Sequence, residues 1–275
     1  MQISKSMRFD KIWLVVPCMT NQLKELELFL ENHSWLFQNG GHLILKASGV
    51  VDQVFVEQVT TKGVLLLQQT DISLYDAWNQ AMDYLCEISV EDGAYVAFLG
   101  LDDSLSLDFC SDVALLAHGN EKIDFIYGNS RHLFQGRYFD FVAPIKPALF
   151  GKSNFTFDVT HPGMMHRWET ICKYRFDTQF KLAADFDFYV GIAQKQTISF
   201  KKIDVIQAEI GAAGVSNGLK AKSIYLKEWK EIERKRGVKL NLQLLRNKLN
   251  ALLAIQPHLF RAIRKLWWMA KASKY

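Results

Sequence analysis

Apolar and polar positions along the chain alternate between two periods. Ile12 to Pro17 (IWLVVP) is a short, wholly apolar run of the kind a strand buried on both faces shows. Residues 21–37 (NQLKELELFLENHSWLF) instead gather Leu23, Leu26, Phe29 and Leu30 on one side of a helix. HLILKASG (42–49) and VLLLQQ (64–69) return to strand character, SLYDAWNQAMDYLCEI (73–88) to helix, and AYVAFLGLDD (94–103) to strand. Such alternation predicts an α/β fold with a parallel sheet, whose loops at the carboxyl ends of the strands form the ligand crevice. Asp102 and Asp103 stand side by side at one such end. Aspartate is also a common turn residue, so the pair could simply open a loop ahead of a capped helix over LSLDFCSDVALLA (105–117).

Beyond residue 120 the rhythm changes. IDFIYGNSRHLF (123–134) and GRYFDFVAPI (136–145) read as antiparallel strand material, followed by a less regular stretch to THPGMMHRWETICKYRFD (160–177). A helix is expected over AADFDFYVGIAQKQ (183–196) and a strand over ISFKKIDVIQAEI (198–210). Glycine and serine cluster in GAAGVSNGLK (211–220), which places a boundary between residues 1–218 and a segment 219–275.

Charge supports that division. Residues 219–275 hold 15 Lys and Arg against three Glu, a net of +12, whereas residues 1–218 carry 18 basic and 26 acidic side chains, a net of −8. With 49% hydrophobic and 23% charged residues, the 275-residue chain can bury a sizeable core, which excludes disordered and fibrous classes. Cys18, Cys86, Cys110 and Cys172 form no C-x-x-C pair and have no closely spaced His, so they read as reduced thiols, not a zinc site. The first apolar run is too short for a signal peptide, and no uncharged stretch is long enough to span a bilayer, so a cytoplasmic location is expected.

Six segments, in order, carry a resemblance. QQTDISLYDAWNQAMD (68–83) resembles the "PDxGIYDAMNKG" segment of family 2 glycosyltransferases, and AYVAFLGLDD is similar to their "GDYIxFLGADD" strand. IDFIYGN resembles "ADVVYGD", THPGMMHR resembles "xHPGxFxRR", RFDTQFKLAADFDFYVGI resembles "GFDExFRIAADYDLLLRL", and AAGVSN resembles "xGGxS". The resemblance spans about residues 12 to 217 and implies a GT-A fold: a mostly parallel central sheet flanked by helices, here followed by a basic helical appendage. One segment departs from it. The family's second strand ends in an Asp-rich turn whose first Asp holds the nucleotide base, whereas this chain has LILKASGVVDQ with Lys46 at that place, and Ser73 replaces the glycine before Ile.

The resemblance implies an inverting transfer of a sugar from a nucleotide diphosphate, with UDP-sugars as the expected donors. A hard divalent cation, Mn²⁺ or Mg²⁺, with oxygen ligands suits that leaving group. Successive side chains of a strand point to opposite sides, so one ion does not take both neighbouring carboxylates equally. Asp103 is assigned to the metal and Asp102 to the ribose or to support of the metal ligand. Asp185 matches the general base that removes the acceptor's hydroxyl proton, with helix N-terminal capping as its structural alternative, and Asp187 is read as structural. His161 matches a position near the diphosphate or metal. Pro17, Asp71, Tyr75, Asp76 and Asn79 match the nucleotide side, although an aromatic such as Tyr75 at a helix start commonly packs in the core.

In the basic segment Leu242, Leu245, Leu249 and Leu252 recur at helical spacing with Arg246 and Lys248 between them. Past Pro257, Phe260, Ile263 and Trp267 repeat the pattern among Arg261, Arg264 and Lys265, and Trp268 follows. A basic amphipathic helix ending in tryptophans fits the plane of an anionic membrane surface, or alternatively packs on the acidic core. No nucleic-acid reader motif accompanies the charge, so nucleic acid is not an expected partner. The expected acceptor is a saccharide, free or lipid-linked, in surface-polysaccharide synthesis. The rivals are a non-catalytic scaffold with a glycosyltransferase-like shell and a sugar nucleotidyltransferase, which would need a Gly-rich basic loop that PCMTNQLKEL lacks.

Overall fold

The computed structural model describes residues 8–19, 21–49, 51, 53–60, 64–134, 136–145, 154–155, 159–211 and 219–240. The expected features in 212–217 and 241–275, including the Leu242 to Trp268 pattern, lie outside the described residues. In chain order the elements are β1 (Ile12–Met19), α1 (Leu23–Asn32), α2 (Ser34–Phe37), β2 (His42–Ser48), α3 (Gln53–Thr60), β3 (Leu65–Gln69), α4 (Leu74–Glu87) and β4 (Tyr95–Phe98). They continue through β5 (Ser104–Leu105), α5 (Leu107–Ala117), β6 (Phe125–Phe134), β7 (Arg137–Phe141), β8 (Asn154–Phe155), β9 (Met165–Arg167) and α6 (Trp168–Ile171). The last are α7 (Ala184–Lys195), β10 (Phe200–Ile210), α8 (Leu219–Arg236) and β11 (Lys239–Leu240).

Nine strands form one mixed sheet in the order β3-β2-β1-β4-β9-β6-β10-β5, with β7 paired to β6, and β11 and β8 form a separate two-stranded piece. Pairings β1 with β2, β1 with β4, β2 with β3 and β6 with β10 are parallel. The three residues of β9 run antiparallel to both β4 and β6 and join the two parallel halves. β6 and β7 pair antiparallel, as their sequence pattern predicts.

Alternation along each strand divides the core between the two faces of the sheet. Ile12, Leu14 and Val16 of β1, with Tyr95 and Ala97 of β4, pack toward α1, α3 and α5. Trp13, Val15, Val96 and Phe98 face the opposite way, toward Trp78 of α4, Phe188 and Tyr189 of α7 and Trp229 of α8. The helix expected over residues 21–37 is broken at His33 into α1 and α2. The His33 ring turns inward there: Nε2 accepts the Leu105 N–H at 2.9 Å and Nδ1 lies 2.7 Å from the Phe29 carbonyl oxygen. α4 starts with Ser73, whose hydroxyl accepts the Asp76 N–H at 3.1 Å, while Asp76 Oδ2 accepts the Ile72 N–H at 3.0 Å. Among the described residues no helix is long and apolar enough to cross a membrane.

Candidate active site

Because β9 is antiparallel to its two neighbours, β1, β2, β3, β4, β6 and β10 all point the same way. Their carboxyl ends share one edge of the sheet with the chain that enters β9, where His161 lies, and with the N-terminus of α7, which precedes β10. This is the edge at which open α/β sheets bind ligands.

The acidic turn after β4 is fixed there by backbone donors. Asp103 is buried, and its Oδ2 accepts the Gly100 N–H at 2.9 Å while Oδ1 accepts the Gly211 N–H, at the end of β10, at 3.1 Å. Burial pushes its carboxyl up to about 6, against the pull of the Gly100 N–H, and the neighbouring charge of Asp102 pushes the same way. Asp102 is exposed. Two bare glycines close on its carboxylate: a Cβ at Gly100 would lie 3.0 Å from Oδ1, and one at Gly211 would lie 2.2 Å from Oδ2. The resulting cradle offers oxygen donors only, from two carboxylates. Among the described residues no group of three or more His, Cys, Asp or Glu is placed to hold a metal. A hard divalent cation bound by one or two carboxylates and completed by substrate phosphates fits that donor set.

Asp185 sits half-buried in the first turn of α7, its Oδ1 accepting the Phe186 N–H at 2.8 Å. Burial, followed by the nearby Asp185 charge, pushes the Tyr75 phenol well up. Asp187 faces elsewhere. It is 1% exposed and ion-paired with Arg236 of α8, at 2.7 Å from Nε and 2.6 Å from Nη2, and with Lys235 at 3.1 Å.

His161 is buried in the core, against Phe98 of β4 and Tyr189 of α7. Its ring stacks on Phe98 with centroids 5.8 Å apart, and Nδ1 hydrogen-bonds the Tyr189 hydroxyl, one turn beyond Asp185. That hydroxyl also meets His166 Nε2 at 2.6 Å, while His166 Nδ1 lies 2.9 Å from the Val96 carbonyl oxygen. Hydrogen-bond accounting fixes the tautomers. His166 Nδ1–H must donate to Val96, so Tyr189 donates to His166 Nε2 and accepts from His161 Nδ1–H. His161 Nε2 is left with a bare lone pair, buried and without a hydrogen-bond partner among the described residues, as is the Nε1–H of the adjacent Trp78. Burial holds both imidazoles neutral, pulling His166 down to about 4 and His161 well below the usual imidazole range.

The expected nucleotide-side residues are each engaged with other parts of the fold. Pro17 pairs with Lys46 across β1 and β2. Lys46 is fully buried, and its Nζ donates to Asp71 Oδ2 at 2.8 Å and to the Ala47 and Gln69 carbonyls. Burial beside this pair pushes the Cys18 thiol up to about 12. Asp76 caps α4, and Asn79 brackets the backbone of Phe176, donating to its oxygen at 2.9 Å and accepting its N–H at 2.8 Å. Tyr75 is buried, edge-on to Trp78 at 5.5 Å.

Sequence reasoning passed over four contributors. Gly211 was legible only as part of a flexible boundary, yet it closes the acidic turn. Tyr189 and His166 carry no motif that marks them apart from other core residues. Glu228 of α8 accepts the N–H groups of Lys181, Leu182 and Ala183 just ahead of Asp185, at 2.7, 2.9 and 2.9 Å. Nothing in its local pattern separates it from the other glutamates of a basic helix.

No protein-family model matches the chain. No curated protein matches it either. Solved structures do. Residues 1–349 of S. aureus TarS superpose with a TM-score of 0.53 at 15% identity, covering 73% of this chain and 60% of that one, so this chain spans well under two thirds of that relative. Glucosyl-3-phosphoglycerate synthase from Mycobacterium tuberculosis, in complex with Mn²⁺, UDP-glucose and phosphoglyceric acid, superposes with a TM-score of 0.55 at 12% identity, covering 83% of this chain and 80% of that one. Likeness at these identities is a likeness of fold: the chain has the mixed α/β architecture of the GT-A nucleotide-sugar transferases.

Proposed function

We propose that this chain is a metal-dependent, inverting glycosyltransferase that moves a sugar from a nucleotide-diphosphate donor, a UDP-sugar, to a saccharide acceptor. The observation that carries the reading is the acidic turn Asp102-Asp103, tied to Gly211 on the same sheet edge as the N-terminus of α7 with Asp185. The solved neighbour in complex with Mn²⁺ and UDP-glucose supports a donor of this class.

A Mn²⁺ or Mg²⁺ held by Asp103, with Asp102 beside it toward the ribose, would neutralise the charge of the departing diphosphate. Pro17, Asp71, Tyr75, Asp76 and Asn79 form the nucleotide side, and His161 backs the diphosphate position from the core. Asp185 takes the proton of the acceptor hydroxyl as that oxygen bonds to the anomeric carbon. The bond from that carbon to the phosphate oxygen breaks on the opposite face, and its electron pair leaves with the nucleoside diphosphate. A base in this role contributes about 10² to 10⁴-fold.

The test is nucleotide release from a panel of nucleotide sugars with Mn²⁺ and saccharide acceptors. Wild type is expected to release a nucleoside diphosphate, Asp103→Ala to lose release, and Asp185→Asn to lower kcat by about 10² to 10⁴-fold. The buried Lys46–Asp71 pair favours one second reading, a non-catalytic shell, because it occupies the place where the resembling family holds the base. Absence of release from every donor by the wild type decides for that shell.

A further inference from the structure

In the first turn of helix α7 the Phe186 N–H is accepted by Asp185 Oδ1 at 2.8 Å. The N-cap residue Ala183 makes no side-chain capping bond, and a helix start leaves several N–H groups in need of outside acceptors. Glu228, on a helix 45 residues further along, holds the approach to that start: Oε1 accepts from Lys181 at 2.7 Å, and Oε2 accepts from Leu182 and from the N-cap residue Ala183 at 2.9 Å each. One carboxylate thereby fixes three consecutive peptides immediately ahead of Asp185.

α8 is itself held firmly against α7. Trp229, next to Glu228, stacks on Phe186, next to Asp185, with ring centroids 5.3 Å apart. Arg236, two turns on, closes on buried Asp187 with two hydrogen bonds at 2.7 and 2.6 Å. Gly191 leaves room for it, since a Cβ there would lie 2.9 to 3.1 Å from the guanidinium.

We infer that Glu228 is a positioning residue: by setting the backbone of residues 181–183 it aims the Asp185 carboxylate at the acceptor hydroxyl. The inference rests on the reading of Asp185 as the base. A misplacement of about 1 Å in such a group costs on the order of 10²-fold in rate. The donor side is built from β1 to β4 and α4, elements Glu228 does not touch through these bonds, so donor affinity is expected to survive its loss.

The experiment compares wild type, Glu228→Ala and Glu228→Gln by amide hydrogen exchange and by transfer kinetics. Glutamine keeps one carbonyl oxygen of the two acceptors and so part of these bonds. In Glu228→Ala the amides of 181–183 are expected to exchange at least about tenfold faster, with kcat lowered about 10 to 100-fold and donor KM within about twofold of wild type. Glu228→Gln should fall between the two on both readouts. General loosening would instead raise donor KM and exchange throughout α4 in parallel, which overturns the inference. Unchanged protection at 181–183, or a kcat within about twofold of wild type, overturns it equally. Should Glu228→Ala fail to fold, Glu228→Gln is read by the same criteria. A wild type that transfers no sugar ends the proposed function and this inference together, whereas an active wild type matched by the variants ends this inference alone.

Discussion

His33 ends one helix and starts the next because its ring is needed inside, as acceptor for the Leu105 N–H just past the acidic turn. Only a neutral ring can accept at Nε2, and burial holds its pKa down at about 4. The folded state therefore binds fewer protons than the unfolded chain between about pH 4 and 6.5, and this contribution is complete above about 6.5 and lost as the pH falls toward 4. Between pH 7 and 5 the wild type should lose about 2 kcal/mol more stability than His33→Gln in urea unfolding; equal losses would count against the assignment. Gly211 gives a second test at this scale. A methyl group there would sit 2.2 Å from Asp102 Oδ2 and 2.5 Å from the Asp102 backbone oxygen. The side chain could rotate away, but the backbone could not. Gly211→Ala is expected to cost about 1 to 3 kcal/mol and to lower kcat/KM at least about tenfold; wild-type turnover with unchanged stability would remove the cradle from the argument. At this scale Asp103 and Asp185 stand out in the sequence as candidates because they sit in recognisable segments. Gly211 and Glu228 do not, because their importance lies in contacts with residues 108 and 45 positions away.

At the scale of elements, long segments with a clean period were legible to within a few residues: α4, α7, β10 and the β6–β7 pair lie where the pattern puts them. α3 was missed. Its QVFVEQVT segment is dense in β-branched residues and offers little helix propensity, although buried Val51, Phe55 and Val59 do follow a four-residue spacing. β9 has three residues, too few to show any period. The junction of β2 and β3 shows how a departure from a family pattern can be rebuilt as structure. Lys46 carries no exposed surface and is neutralised by Asp71, itself 14% exposed, across the two strand ends. Breaking a buried pair from one side strands the other charge. Lys46→Met is expected to cost about 3 kcal/mol, and Lys46→Met with Asp71→Leu to recover most of it. Additive losses in that double-mutant cycle would show that the pair does not act as a unit.

At the scale of the molecule, the charge asymmetry is partly consumed internally. Lys235 pairs with Asp177 at 2.6 Å and Arg236 with Asp187, so α8 spends positive charge on the acidic part of the chain. Residues 241–275 still hold seven Lys and Arg and no acidic residue. If that segment lies on a membrane, the full chain should sediment with anionic vesicles at low salt, at about 1 kcal/mol per basic residue near the surface, and be released at high salt. Failure to sediment at low salt, or equal binding to neutral vesicles, argues for packing on the core instead. The small antiparallel β9 has a consequence for synthesis. The first four strands of the sheet are complete by residue 98, yet the partner for the outer side of β4 arrives only with residues 165–167. A ribosome adding about 5 to 20 residues per second leaves the apolar edge YVAF bare for roughly 3 to 15 s. During that interval the nascent chain offers a template to any neighbouring strand, and slow translation or crowded expression should turn the yield toward aggregates.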